Sequence, residues 1–278
     1  MSRQIQAIRG GLKHGPVHSY MTSANVADLN PFVLWDHFYI PHIEQATGFG
    51  FHGHSGVATI SYPQKGGIAH EDTGGHSGFL EAGGIQIMSA GVGVLHKEII
   101  HPTHHVADAF QLWVALPAEK QEMGPVTYST LPQNGIPIVE TPTSTTKVLV
   151  GTHNGVHSTA QAPVDMTYLH INIDEEDTWQ HSENSSQTTA FVFVRHGSIE
   201  IGNKQISAGE LGIFEKNMEP IDIKATQQKA EFLFISGTPL QQAFVSNGSS
   251  IHSSTKNLIA GVQRIKQLHL QKVQTTHP

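Results

Sequence analysis

The feature that most constrains the fold is a series of short apolar or alternating segments, each closed by Gly, Pro or Asn. These segments are rich in β-branched and aromatic residues, and turn-forming residues recur roughly every ten positions, as in all-β proteins. The segments are Val57–Tyr62, Ile85–Met88, Phe110–Leu116, Lys147–Val150, Met166–Ile173, Phe191–Val194, Ser198–Ile201 and Glu231–Ile235. The regular alternation of strands and helices that builds a doubly wound sheet is missing, so the pattern predicts an all-β sandwich or barrel.

A change of composition near the middle of the chain indicates two domains. The length of 278 residues is compatible with one large domain or with two of ordinary size. Residues 117–147 hold several prolines and the polar run Thr141–Thr146, a composition typical of a connection between domains. We therefore predict an N-terminal domain over residues 1–140 and a C-terminal domain over residues 141–278.

One helix is predicted near the C-terminus, from Thr255 to about Gln271. Thr255 is a suitable N-cap residue. Apolar residues recur there at helical spacing, at Leu258, Ile259, Val262, Ile265 and Leu268. The basic residues of this segment fit either a docking helix with a solvated outer face or a basic binding face.

The Gly-led turn and strand shared by Glu81–Met88 and Ser207–Phe214 favours two copies of one β-barrel unit.

Composition excludes several classes of protein. The chain has no cysteine, which removes disulfide scaffolds, thiolate metal sites and cysteine nucleophiles. The formal net charge is −7, from 16 Lys and Arg against 23 Asp and Glu, and basic runs are missing, so direct nucleic-acid binding is not expected. The N-terminal segment lacks the apolar core of a signal peptide, and no stretch is as apolar as a membrane span. We therefore expect a soluble cytoplasmic protein, monomeric and without membrane contact.

Histidine is unusually frequent, with 20 in the chain. Two pairs have the spacing of metal ligands: His52 with His54, and His96 with Glu98. Side chains two residues apart on a strand point to the same face, so the four converge if the two segments are neighbouring strands. Three imidazoles and one carboxylate suit a divalent metal such as Fe, Mn, Co, Ni, Cu or Zn, with positions left for substrate, water or dioxygen. In a chain so rich in histidine, either pair alone also fits a purely structural role.

The other histidines are assigned weaker roles. His70 and His76 are expected in a loop between strands, where hydrogen bonding is favoured over metal binding. Three more fit either a pocket wall or a surface metal site: His101, His104 and His105. His153 and His157 are four residues apart and are not followed by a His-x-His strand, so we expect the C-terminal barrel to bind no metal.

Four aromatic residues are candidates for the core or for a pocket. Phe49 and Phe51 flank the first histidine pair and fit either an apolar pocket for a flat aromatic ligand or plain core packing. Trp35 and Trp113 are interpreted as core residues.

Several longer stretches occur in one characteristic order along nearly the whole chain. They are Asn30–Phe38, Phe51–Tyr62, Gly67–Gly78, Gln86–Glu98, Phe110–Pro117, Ile136–Glu140 and Glu231–Leu240. In this order they resemble the pirin family, a bicupin group of the cupin superfamily. The resemblance implies an all-β fold of two stacked cupin (jelly-roll) β-barrels with a C-terminal helix, and a metal ion in the N-terminal barrel only. The pirin ligands fall on His52, His54, His96 and Glu98, and Fe(II) is the metal that the resemblance favours, with Ni, Cu, Co, Mn or Zn as alternatives.

The chain departs from the pirin pattern at several positions. Ala58 stands where pirins usually carry a glutamate, and Ser55 stands where an arginine is common, which would make the pocket mouth less basic. The segment Ile99–His105 adds imidazoles where substrate would enter. Val245–Ser250 replaces a more apolar stretch, which leaves the docking of the final helix open. Because Glu98 supplies the carboxylate ligand in the pirin pattern, we expect the metal site to survive these changes.

The resemblance implies a metal-dependent dioxygenase that cleaves a flavonol, since several bacterial pirins resemble quercetin 2,3-dioxygenases. Its partners would be a small aromatic substrate and dioxygen, and Glu98 would be a ligand that also takes the substrate proton as a catalytic base. The alternative is a metal-binding regulatory protein that binds a transcription factor or a metabolic enzyme, without physiological catalysis. A third alternative is a bicupin with another natural substrate, whose quercetinase activity is incidental.

Overall fold

A computed structural model of the chain describes residues 2–182 and 186–276. Most of the regular structure is β-strand, and a long helix lies at the C-terminal end. The predicted all-β fold with a C-terminal helix is therefore confirmed. Met166–Ile173 and Ser198–Ile201 have the same bounds in the structure as in the sequence pattern, and the helix continues beyond Gln271 to Thr276.

The elements follow in chain order. The strands of the first half are β1 (Ile5–Gly10), β2 (Leu12–His14), β3 (Val17–Met21), β4 (Phe32–Pro41), β5 (Thr47–His54), β6 (Val57–Lys65), β7 (Gly67–Asp72), β8 (Ser77–Leu80), β9 (Ile85–Ser89), β10 (Val94–His101), β11 (Val106–Ala115) and β12 (Thr127–Leu131). Those of the second half are β13 (Ile138–Glu140), β14 (Ser144–Val150), β15 (Thr152–His153), β16 (Val156–His157), β17 (Met166–Ile173), β18 (Thr178–His181), β19 (Thr189–His196), β20 (Ser198–Ile201), β21 (Lys204–Ser207), β22 (Glu210–Phe214), β23 (Ile221–Ala225), β24 (Ala230–Gly237), β25 (Val245–Ser246) and β26 (Ile251–His252). The helices are α1 (Val26–Leu29) and α2 (Thr255–Thr276), with 3-10 turns at Ser23–Asn25 and Gln133–Gly135.

The chain divides into two compact units. The first unit comprises Lys13–Gln133 with Leu240–Pro278, and the second unit comprises Met1–Leu12 with Asn134–Pro239. These units differ from a single division at residue 140. The first unit includes the C-terminal segment Leu240–Pro278, and the second unit includes the N-terminal segment Met1–Leu12. Strand β1 pairs with β22 in the second unit, and α2 packs on β5 and β10 in the first. Long-range strand pairing and helix docking therefore determine the units, rather than order along the chain.

The first unit is built from a long sheet and a short one. The long sheet has the strand order β12-β9-β6-β11-β4-β3-β2, and the short sheet has the order β5-β10-β7-β8. Strand β6 is buried over most of its length because it lies between β9 and β11 and consists mainly of apolar and small residues. Trp35 is fully buried, as expected of a core residue, and stacks on Phe110 with ring centroids 5.4 Å apart. The short sheet places β5 and β10 side by side, and these are the strands that carry the two ligand pairs.

The second unit repeats this arrangement. Its long sheet has the order β1-β22-β19-β24-β17-β14-β13, and its short sheet has the order β18-β23-β20-β21. Trp179 is buried in the core against Phe232 and Phe234. Its indole N–H donates to Thr146 Oγ1 at 3.0 Å, which satisfies the polar end of an otherwise apolar ring. A long and a short sheet around one apolar core form a jelly-roll unit, and the chain contains this unit twice.

Ser254 is the N-cap of α2, so the prediction that Thr255 caps the helix is wrong by one position. The Ser254 hydroxyl accepts a hydrogen bond from the backbone N–H of Asn257 at 3.2 Å, and its carbonyl accepts one from Leu258 at 3.0 Å. Ser and Thr are both good cap residues, so three of them in succession, Ser253, Ser254 and Thr255, leave the cap position undecided in the sequence. Within residues 2–182 and 186–276, neither helix has the length and apolar character needed to cross a membrane.

Candidate metal centre

Strands β5 and β10 bring three of the predicted ligands together. His52 and His54 lie on one face of β5, and His96 lies directly opposite His52 in the antiparallel pair. The ring centroids of His52 and His96 are 4.3 Å apart, and those of His54 and His96 are 5.0 Å apart. The three histidines offer ligand atoms that all lie within 4.8 Å of one another. This spacing allows a single ion to contact all three.

Backbone carbonyls determine which ring nitrogen of the β5 histidines is available to a metal. His52 Nδ1 lies 2.8 Å from the carbonyl oxygen of Gly50, and His54 Nδ1 lies 2.8 Å from that of Ser249. Because a carbonyl can only accept, both Nδ1 atoms carry the proton and both Nε2 atoms keep a lone pair. Hydrogen bonding of one ring nitrogen to a carbonyl is the usual arrangement for a histidine that binds metal through the other.

Burial keeps the central imidazoles neutral. Burial, with the neighbouring His96, lowers the pKa of His54 to about 3. Burial, with the neighbouring His52 and His70, lowers the pKa of His96 well below its ordinary value of 6.5. A metal binds the deprotonated ring, so at neutral pH these histidines need lose no proton to act as ligands.

A β-bulge separates Glu98 from the histidines of β5. His96 lies opposite His52, but Glu98 lies opposite Phe49, so β5 contains one extra residue in this interval. On the other side of β10, Glu98 lies opposite His70 of β7. Glu98, His70 and His96 form a second group whose ligand atoms lie within 4.8 Å of one another. His96 belongs to both groups and therefore connects the carboxylate to the two histidines of β5.

Three side-chain donors hold the Glu98 carboxylate in place. Ser61 Oγ and Gln86 Nε2 each donate to Oε1 at 3.1 Å, and Gln111 Nε2 donates to Oε2 at 2.8 Å. Glu98 is only 6% exposed, so these donors replace the water that the carboxylate loses on burial. A carboxylate has about four lone-pair sites, which leaves capacity for a metal ion. Sequence spacing does not indicate these donors, because they lie on three different strands.

His70 is on strand β7, so its expected position in a loop is wrong. It is 3% exposed, and its Nε2 lies 3.0 Å from Asp72 Oδ2. Burial alone would raise the pKa of Asp72, but hydrogen bonds from His70 and His76 outweigh this and lower the pKa to about 2. His70 therefore donates through Nε2, and its buried Nδ1 has no hydrogen-bond partner among the described residues. The sequence signal for this arrangement is the His-x-Asp spacing on one face of a strand.

Two aromatic residues enclose the histidines. The ring centroid of Trp113 lies 4.6 Å from that of His54, and its indole N–H donates to Gln111 Oε1 at 3.2 Å. Tyr128 stacks on His70 with centroids 4.6 Å apart and an interplanar angle of 18°. Trp113 packs against a core cluster that includes Val57 and Ala115, as predicted, and its ring also contacts a candidate ligand.

Phe49 and Phe51 lie on different sides of β5. The Phe49 ring is 49% exposed and meets the His52 ring at a centroid distance of 5.8 Å. The ring of Phe51, one residue from His52, lies instead beneath Lys272 of α2, whose ammonium is 3.5 Å from the ring centroid. Of the two rings, the one in contact with His52 is that of Phe49.

Other histidines singled out in the sequence lie apart from this group. Three at and after the end of β10 are exposed: His101, His104 and His105. Among residues 2–182 and 186–276, none of the three belongs to a group of potential metal ligands. In the second unit, His153 is buried with its Nδ1 3.2 Å from His181 Nδ1, and His157 is exposed.

Two departures from the pirin pattern have structural consequences. Ser55 is fully buried, and its hydroxyl lies 2.9 Å from His252 Nε2. The Ser55 side chain therefore does not reach solvent. Val245–Ser250 forms most of the β25–β26 hairpin, which leads into α2 within the first unit. Ala58 is fully buried in β6.

The donor set fits a divalent transition metal. Each β5 histidine has one ring nitrogen held by a carbonyl and the other available, and Glu98 keeps lone-pair capacity. Both nitrogens of His96 are buried without a hydrogen-bond partner in the part of the chain that the structure describes. Such unpaired polar atoms cost free energy, and coordination would remove that cost. Three imidazoles with one carboxylate suit Fe, Mn, Co, Ni, Cu or Zn.

The jelly-roll unit is the architecture of a cupin, and two such units in one chain define a bicupin. The converging histidine and carboxylate side chains lie in the first of them. Comparison with family models agrees with this class. The Pirin model matches residues 14–114, and the model of the Pirin C-terminal cupin domain matches residues 168–267. Together they match well over half of the chain, which therefore belongs to the pirin family.

Individual relatives agree with this assignment. Pirin-1 of Arabidopsis thaliana is 28% identical over 243 residues, which cover 86% of this chain and 82% of that protein. The crystal structure of quercetin 2,3-dioxygenase from Acinetobacter baumannii has a TM-score of 0.85 and 21% identity, covering 95% of this chain and 96% of that one. The bacterial pirin YhhW from Escherichia coli, in complex with nickel(II), has a TM-score of 0.63 and 19% identity, covering 86% and 98%. These two structures share the fold of this chain.

Proposed function

We propose that this chain is a metal-dependent dioxygenase of the pirin type, which cleaves a flavonol such as quercetin with dioxygen. The observation that carries the proposal is the convergence of half-buried His52 with buried His54 and His96, beside the fixed carboxylate of Glu98. Fe(II) is the first choice of metal, and nickel(II) is supported by its presence in the Escherichia coli relative. The Acinetobacter baumannii relative named as a quercetin 2,3-dioxygenase supports the substrate class.

The roles of the chain's own residues follow from their contacts. A bound metal would supply a Lewis acid that stabilises a substrate enolate and orients it toward dioxygen. His52 and His54 are held in the tautomer that leaves Nε2 free to bind it. Glu98 is fixed by donors on both carboxylate oxygens, so it is oriented to accept the proton of the flavonol 3-hydroxyl.

Phe49 provides an apolar surface for the substrate. Its ring is about half exposed and lies beside His52, at the edge of the proposed metal site. A flavonol is flat and aromatic, and aromatic rings pack favourably in offset-stacked or edge-to-face geometry. Buried His54 and His96 lie deeper, where little water would reach the reacting atoms.

The test is direct detection of the ring-cleavage product. Metal-free protein is loaded with Fe(II), Ni(II) or Cu(II) and incubated with quercetin in air. Carbon monoxide release and loss of flavonol absorbance are measured. We expect turnover with at least one metal and about 10²- to 10⁴-fold slower turnover in Glu98→Gln, because a positioned base contributes that much.

Glu81→Gln is the matched control, since Glu81 is an exposed residue of the turn before β9. It should react at the wild-type rate. Absence of carbon monoxide with every metal, in protein shown to contain the metal, would contradict the dioxygenase proposal and favour the regulatory alternative.

A further inference from the structure

The residues of β5 that alternate with its histidines face helix α2. A Cβ atom built on Gly53 would lie 2.4 Å from Ile265 Cγ2, so only glycine permits this approach of the helix. Two residues earlier, the Phe51 ring lies under the ammonium group of Lys272. Helix α2 therefore backs the strand that carries two of the proposed metal ligands.

The segment before α2 contacts His54 itself. The Ser249 carbonyl accepts the Nδ1–H of His54 at 2.8 Å, which directs the proton to Nδ1 and leaves Nε2 for a metal. The next residues pair with the backbone after His54. Ser250 forms a β-bridge with Ser55, and the Ile251 N–H donates to the Ser55 carbonyl at 3.1 Å. The orientation of His54 therefore depends on where this segment lies.

A buried chain of hydrogen bonds anchors the segment. The Ser55 hydroxyl lies 2.9 Å from His252 Nε2, and His252 Nδ1 donates to Glu122 Oε1 at 2.7 Å. All three side chains are essentially inaccessible to solvent. Glu122 Oε1 also accepts the backbone N–H of Ser253 at 3.0 Å and the amide of Asn257 at 3.1 Å, at the start of α2.

A hydroxyl, an imidazole and a carboxylate in this order also make up acyl-transfer triads. Here helix α2 covers the Ser55 hydroxyl. A Cβ atom built on Gly261 would lie 2.3 Å from Ser55 Oγ and 2.8 Å from His252 Nε2, so the backbone of α2 lies directly on the pair. No substrate carbonyl fits between them. The three side chains therefore connect the end of β5 to α2 and do not form a reaction centre.

We propose that the C-terminal clasp, defined as Ser249–His252 together with α2, is a positioning part of the metal centre. It holds His54 in the tautomer and orientation that metal binding requires. His252 is the positioning residue that fastens the clasp, through Ser55 on one side and Glu122 on the other. The inference rests on the proposed metal centre and not on the flavonol reaction.

Coupling of this kind is reciprocal. If docking of the clasp raises the affinity for the metal, metal binding must stabilise docking by the same factor. Bound metal would thereby stabilise the docking of α2. Hydrogen exchange in residues 249–274 should slow when metal is added, because opening of the clasp would then also require the loss of coordination by His54.

The experiment measures the affinity of the full-length chain for nickel(II) by competition with a chromophoric chelator. Gly261→Ala should weaken binding about 10- to 100-fold, the usual cost of disturbing a residue that orients a ligand. This direction is diagnostic, because alanine has the higher helix propensity and would by itself stabilise α2. Gln263→Ala, at an exposed position of the same helix, should bind like the wild type.

A second pair of variants separates positioning from general stability. His252→Ala and His170→Ala each remove a buried histidine bonded to a glutamate, at 2.7 Å and 2.8 Å respectively. Both should lower the unfolding temperature of the metal-free chain. Only His252→Ala should weaken nickel binding and abolish the metal-dependent slowing of exchange in α2.

Two results would overturn the inference, and they are distinguishable. Unchanged nickel affinity in both Gly261→Ala and His252→Ala, with normal binding by the wild type, would refute the clasp alone. Failure of the wild-type chain to bind nickel or any of the other metals would refute the metal centre and the clasp with it. Ser55→Ala removes one oxygen without introducing a clash, and it replaces Gly261→Ala if that variant does not fold.

Discussion

His96→Leu should make the metal-free protein more stable while abolishing its response to metal. His96 is fully buried, and within the described ranges neither of its ring nitrogens has a hydrogen-bond partner. Burial and neighbouring imidazoles hold its pKa far below 6.5, so the metal-free site contains a neutral but unsatisfied polar ring. Leucine has a similar volume and no polar atoms.

The magnitude follows from the cost of an unsatisfied polar group. A buried donor or acceptor without a partner costs about 1–3 kcal/mol, so we expect His96→Leu to raise the free energy of unfolding of the metal-free protein by that amount. Metal at 100 times its dissociation constant should stabilise the wild type by about 2.7 kcal/mol and the variant not at all. The difference in stability between the two proteins should therefore shrink or reverse when metal is added.

Urea unfolding followed by tryptophan emission measures both quantities, with and without a chelator. A Trp179→Phe background leaves Trp35 and Trp113 as the reporters, and both lie in the first unit. The control is His37→Leu in the same unit. His37 Nε2 lies 2.9 Å from Asp108 Oδ1, so its removal takes a partner from a buried carboxylate and should destabilise the protein.

Loss of more than about 1 kcal/mol of stability in metal-free His96→Leu would refute this reasoning, because it would mean that the ring contributes more by packing or bonding than it costs. An undiminished gain in stability on metal addition would remove His96 from the set of ligands.

Three further predictions concern other polar groups. Burial and then the neighbouring His153 lower the pKa of His181 from 6.5 to about 3, so below about pH 6.5 the unfolded chain takes up a proton that the folded chain does not. The contribution of neutral His181 to the free energy of unfolding is thus complete above pH 6.5 and falls by about 1.4 kcal/mol per pH unit below it. His181→Phe should remove this slope, as measured by urea unfolding between about pH 7 and pH 5. Tyr128→Phe removes the hydroxyl that donates to Gln86 Oε1 at 3.0 Å but keeps the ring. Calorimetry should show a loss of about 0.5–1.5 kcal/mol in the free energy of unfolding, whereas an unchanged value would show that this hydrogen bond contributes nothing. In Asp72→Asn, the amide group cannot accept all the hydrogen bonds that the carboxylate receives. The free energy of unfolding should therefore fall by about 1–3 kcal/mol, and hydrogen exchange at the turn after β7 should speed up. Slow hydrogen exchange at that turn would contradict the role of Asp72 as its acceptor.

Features that depend on neighbouring residues were predictable from the sequence. The strands Met166–Ile173 and Ser198–Ile201 keep their predicted bounds because alternation and closing turn residues are local signals. The common face of His52 and His54 follows from the geometry of any strand. That His96 would lie opposite His52 did not follow, since register depends on how two distant segments pair.

Features that depend on several strands were not predictable from spacing alone. The donors to Glu98 come from β6, β9 and β11, and each is an ordinary polar residue in an otherwise apolar strand. The sequence predicts a loop at His70, because nothing near this residue indicates that β7 pairs with β10. An apolar strand also does not indicate that Trp113, which packs against the core, would at the same time contact His54.

By itself, the sequence determined the fold class and the kinds of side chain available for a metal, because alternation, turn residues and His-x-His spacing act over a few positions. The family followed from resemblance to pirins along nearly the whole chain. The tertiary structure alone decided which ring nitrogen of His54 is available, since the carbonyl that directs it belongs to Ser249, 195 positions away. It also decided which unit each end of the chain joins. A strand can pair with any unpaired strand edge, and a helix can dock on any exposed apolar face. The order of the chain does not specify in which unit that edge or face lies.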